Sequence, residues 1–113
     1  MIALKKIDEK ELDAVLADQK IQPEYLIKYT HSGSNDEIYF ASDSETDAWI
    51  KAKNLALEKL WNLCGESQTE NGISFDYASK RITLHNMAKD TYRYYDIVKR
   101  QKGEYFFDDY REF

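Results

Sequence analysis

Residues 37–65 read EIYFASDSETDAWIKAKNLALEKLWNLCG, and this stretch decides the fold class. Glu37–Ala41 has the aromatic and branched content of a short strand. Ser42 with Glu45, and Ser44 with Asp47, stand at helix-capping spacing, and Asp43, Glu45 and Asp47 suit the positive end of a helix dipole. Trp49, Ala52, Ala56, Leu60 and Leu63 then recur at helical spacing, against a polar stripe of Lys51, Asn54, Glu58 and Asn62. Leu55, Leu57 and Trp61 widen the apolar side beyond the needs of one sheet face. That excess predicts a second contact, with another helix or with a partner. Gly65 predicts the helix stop.

Upstream, Asp8–Lys20 is a predicted first helix. Asp8 and Glu11 have capping-box spacing, Ile7 and Leu12 form a hydrophobic staple, and Leu12, Val15 and Leu16 line one side. Pro23 ends it. EYLIKYT (24–30) reads as a strand and SGSND (32–36) as a loop. With 37–41 they predict a hairpin carrying Tyr25, Ile27 and Tyr29 on one face.

Downstream, Ile73, Phe75 and Tyr77 alternate with Ser74 and Asp76, and Ile82 and Leu84 alternate with Arg81, Thr83 and His85. This is a second hairpin, turning near Ala78–Lys80. TYRYYDIVKR (91–100) suits either a helix or a strand, and its aromatic and β-branched content favours the strand. Gln101–Gly103 predicts a turn with glycine in the left-handed region, and EYFFDDYREF (104–113) a last strand. The expected architecture is α+β, a single domain over 1–113. It consists of a mostly antiparallel sheet of about five to six strands with two helices packed on one face.

The 113 residues carry a net charge of −5, but the charge is segregated. Residues 1–77 hold 15 acids and 8 bases, 78–102 hold 7 bases and 2 acids, and 103–113 hold 4 acids and 1 base. No apolar run is long enough to span a bilayer, and the N-terminus has no signal-peptide pattern. With the single cysteine, Cys64, these features point to a cytoplasmic protein.

Catalytic chemistry is not evident. Cys64 lies at a helix C-terminus, where the dipole disfavours a thiolate, and reads as structural. His31 and His85 lack neighbours at metal-ligand spacing. Asp108 and Asp109 are adjacent, so a strand points them to opposite faces, and no phosphate-cradling glycine motif occurs. The expectation is no enzyme and no cofactor.

Two candidate binding surfaces remain. One is acidic: Asp36, Glu37, Asp43, Glu45 and Asp47 at the strand–helix corner, with Glu104, Asp108, Asp109 and Glu112 at the terminus. Spaced carboxylates on a rigid scaffold mimic a phosphate backbone. The other is aromatic and basic. Six of nine tyrosines follow position 76, more hydroxyls than a small core can satisfy. Arg81, Arg93, Tyr94, Tyr95, Lys99 and Arg100 would there contact a protein or stack single-stranded nucleic acid.

In size, acidity and lack of active-site motifs the chain resembles phage-encoded inhibitors of host defence, such as anti-CRISPR and anti-restriction proteins. That resemblance implies a viral, non-catalytic inhibitor or regulator of a larger nucleic-acid-binding enzyme, acting in the host cytoplasm. An edge strand near the terminus could pair with a second copy, so both monomer and homodimer are open. A nucleic-acid-binding domain built on the tyrosine-rich strands is the alternative.

Overall fold

Seven strands pair edge to edge into one antiparallel sheet: β1 (Ala3–Ile7), β2 (Tyr25–His31), β3 (Glu37–Ser42), β4 (Asn71–Asp76), β5 (Arg81–Asn86), β6 (Thr91–Lys99) and β7 (Tyr105–Asp108). Their order is β4-β5-β6-β2-β3-β1-β7, so β2 is central and β4 and β7 are the edges. Helix α1 (Glu45–Ser67) packs on one face. The computed structural model describes residues 3–7, 23–35, 37–67, 71–87, 89–101 and 103–108, without the side chains of 7, 63–67 and 108.

This corrects the expected two helices on five to six strands. The described residues hold one helix, and the sheet has seven strands. The predicted helix over Asp8–Lys20 lies outside the described residues. The unexpected strand is β1, ALKKI, whose alanine and lysines have poor strand propensity. It pairs with β3 on one side and β7 on the other, and those ladders satisfy its backbone. Thr91–Lys99 is the strand that its composition favours. The predicted stop at Gly65 is also corrected, since α1 continues to Ser67. Glycine lowers helix propensity by about 1 kcal/mol but ends a helix only where the chain turns left-handed.

Local chemistry sets the connections. Ser44 Oγ accepts the Asp47 amide at 3.0 Å, which makes Ser44 the N-cap of α1. The Asp76 carboxylate accepts the amides of Ala78 and Ser79, both at 3.1 Å, and shapes the β4–β5 turn. Gly103 has φ 90° in the β6–β7 turn, as its position predicts.

Alternation gives the sheet two unlike faces. The α1 side is a core of Ile27, Ile82, Leu84, Tyr95 and Ile97 beneath Ala48, Ala52 and Ala56. Three alanines at four-residue spacing bring the helix backbone close to the strands. Trp49, Leu55 and Leu60 flank them, half-buried, while Tyr25 and Tyr29 join Ile27 as the hairpin pattern requires. On the opposite face Leu4, Leu26, Tyr39 and Phe106 form a second buried cluster with Ala41 and Val98. Tyr39 and Phe106 rings lie 4.8 Å apart within it.

Candidate partner-binding surfaces

The corner acids gather around the start of α1, and most are matched locally. The Asp47 carboxylate accepts the Ser42 hydroxyl and pairs with Lys51 Nζ at 2.9 Å. Glu45 pairs with Lys80 at 2.8 Å and ties the helix start to the β4–β5 turn. Glu37 accepts the Tyr39 hydroxyl at 2.9 Å and pairs with Lys28 at 3.3 Å. Asp43 is exposed, and its amide donates to Asp47. Glu104 pairs with Lys6 at 2.7 Å and accepts the Gln101 amide at 2.8 Å. Asp36, Asp109 and Glu112 lie outside the described residues, as does the side chain of Asp108.

The face opposite α1 carries a row of paired charge that the linear sequence does not display. Bidentate Arg81–Asp96 bonds of 2.6 and 3.1 Å join β5 to β6, Lys28–Glu37 joins β2 to β3, and Lys6–Glu104 joins β1 to the start of β7. Positive and negative groups thus alternate across the sheet. The signal lies in strand register, such as Lys28 opposite Asp96, and register exists only once the order of strands is known.

The same face holds a column of rings. Tyr92 stacks on His85 with centroids 4.2 Å apart and planes within 2°, and on Tyr94 at 6.0 Å and 2°. The Arg81 guanidinium caps Tyr94, 4.4 Å from the ring centre. His85 Nε2 lies 3.1 Å from the Asp90 carboxylate. Burial, with the neighbouring Asp90 charge, pushes the Tyr92 hydroxyl above its usual range. Tyr92 thus has parallel rings for two neighbours, and Tyr94 a parallel ring and a guanidinium. A nucleobase needs a free ring face.

The predicted aromatic and basic set is therefore split. Arg81 and Tyr94 share this face. Arg93 and Tyr95 point to the α1 side, where Tyr95 is buried and its hydroxyl is driven well above its usual range by burial. Lys99, also on the α1 side, reaches Glu24 at 4.0 Å. Arg100 donates to the carbonyls of Pro23 at 2.8 Å and Glu104 at 3.3 Å.

Exposed apolar side chains concentrate elsewhere. On α1, Ile50, Leu57 and Trp61 are exposed, Trp61 by 81%. Steps of seven and four residues put them on one line, opposite the buried alanines. Tyr77 is 71% exposed at the end of edge strand β4, 5.1 Å from the Trp49 ring and stacked at 6.3 Å on exposed Phe75. The width of the apolar stripe predicts a further contact for Leu57 and Trp61, and Ile50 joins them.

Among the described residues no group of three or more His, Cys, Asp or Glu is placed to hold a metal ion. No helix among them is long and apolar enough to cross a membrane. The chain matches no known family model, curated protein or solved structure.

The paired carboxylates make stability pH-dependent. Hydrogen bonds from Ser42 and Lys51 hold Asp47 below its ordinary value of 3.8, while those from Tyr39 and Lys6 hold Glu37 and Glu104 below 4.5. Depressed folded values stabilise the fold above those pH values, and the benefit disappears as pH falls through them. His31 acts higher. Burial lowers it below 6.5, so the unfolded chain binds its proton first and stability starts to fall beneath that pH. Thermal unfolding followed by circular dichroism should show a shallow loss below pH 6.5 and a steeper one below pH 4.5. His31→Gln should remove only the first. An unfolding temperature constant down to pH 3 would refute this account of the pairs.

Proposed function

We propose that this protein is a small, non-catalytic protein-binding module of the cytoplasm that regulates a larger protein partner. The observation that carries the reading is the exposed line Ile50, Leu57 and Trp61 on the solvent side of α1. Large apolar side chains aligned on a rigid helix are the usual anchors of a helix seated in a partner groove. Exposing tryptophan to water has no folding benefit. The ring column and the paired charges of the opposite face favour a protein partner over nucleic acid, since the rings stack on one another and the cations are matched. A net charge of −5 suits a basic partner, such as a nucleic-acid-binding enzyme that the module inhibits.

The test is affinity capture from the source cells, with and without nuclease, read by mass spectrometry. A stoichiometric protein that survives nuclease supports the reading. Nucleic acid alone, or proteins lost on nuclease treatment, would overturn it.

A further inference from the structure

Among the described arginines, Arg81 is held by Asp96 and Arg100 by two carbonyls, whereas Arg93 Nε has no hydrogen-bond partner among the described residues. It stands half-buried on the α1 side of β6, opposite Leu84 of β5 and His31 of β2 in register. Arg93 Nε and His31 Nε2 are both buried without a hydrogen-bond partner. Lys59 lies half-buried on α1, one turn beyond buried Ala56 and so on the helix face turned to the sheet. The 32–35 loop closes over the histidine: a Cβ on Gly33 would stand 3.3 Å from the ring. A buried charged donor without an acceptor is costly, so Arg93 Nε calls for a missing acceptor.

We propose that Arg93, His31 and Lys59 form a binding site for a phosphate group, free or as a monoester. Arginine offers a planar fork of donors matched to phosphate oxygens, and Lys59 adds a second permanent charge. Together they balance the charge of about −2 that phosphate carries near neutral pH. His31, uncharged at that pH, supplies one N–H donor. A carboxylate would neutralise only one of the two cations. All three residues are half-buried. The proposal is independent of the exposed line on α1.

The test is a titration of the full-length, nitrogen-15-labelled protein with inorganic phosphate, with phosphoserine as a monoester and with acetate as the singly charged control. The amides of His31, Gly33, Lys59 and Arg93 should shift saturably with one common Kd for phosphate, and more weakly for acetate. Relative affinity for phosphate and phosphoserine separates a free from an esterified ligand. Arg93→Met keeps the packing stem and should weaken binding about tenfold or more. Lys59→Ala should weaken it several-fold and serves if the first variant misfolds. Shifts spread over remote lysines such as Lys53 and Lys89, or binding that both folded variants retain, would overturn the site.

Discussion

Leu26→Ala and Ile27→Ala should each destabilise the fold by about 2–5 kcal/mol, and the double variant should fail to fold. The two residues are adjacent on central strand β2 but point to opposite faces. Ile27 is 0% exposed beneath α1, and Leu26 is 1% exposed in the cluster with Leu4, Tyr39 and Phe106. Each truncation removes buried methyl groups and leaves a cavity that flanking strands cannot close without breaking their ladders. The losses fall in separate cores, so they should nearly add. A domain of this size has roughly 5–15 kcal/mol in total, which the pair would largely consume. Urea unfolding followed by circular dichroism measures both. A Leu26→Ala loss below about 1 kcal/mol would mean that the second cluster is no true core.

Leu57→Glu with Trp61→Glu should abolish partner capture and leave the fold unchanged. Both side chains are exposed on the solvent side of α1, so folding does not need them. Surface substitutions of this kind usually alter stability by no more than about 0.5 kcal/mol. An aromatic anchor at the centre of an interface contributes about 2 kcal/mol or more, roughly a thirtyfold change in Kd. Added carboxylates should lower affinity further for a groove that excludes water. Asp43→Lys tests the acidic corner in the same assay. Capture lost with Asp43→Lys but retained by the double variant would move the contact to the start of α1.

The expected elements differ in how local their causes are. The α1 start was legible because a cap is settled within four residues, Ser44 to Asp47. The β4–β5 hairpin was legible for the same reason, since alternation and the Asp76 turn are short-range. Thr91–Lys99 was ambiguous because its aromatic spacing suits both periods, and its long ladders with β2 and β5 resolve it. β1 was missed because nothing in ALKKI predicts a strand without β3 and β7 beside it.

The candidate sites follow the same division. Composition showed the excess of tyrosine and the segregated charge, and helical spacing showed an apolar stripe too wide for one sheet. The sequence by itself thus determined six of the seven strands, the cap and turns, and the surplus of apolar surface on α1, but not the strand and helix count of the architecture. Only the tertiary structure decided that Tyr92 and Tyr94 stack on each other and that Arg81, Lys28 and Lys6 are matched by Asp96, Glu37 and Glu104. It alone set Arg93 opposite His31 in register, 62 residues apart, with Lys59 on the helix that covers this face. Pairing across strands depends on register, and register comes from burial on both faces of the sheet rather than from any local run of residues.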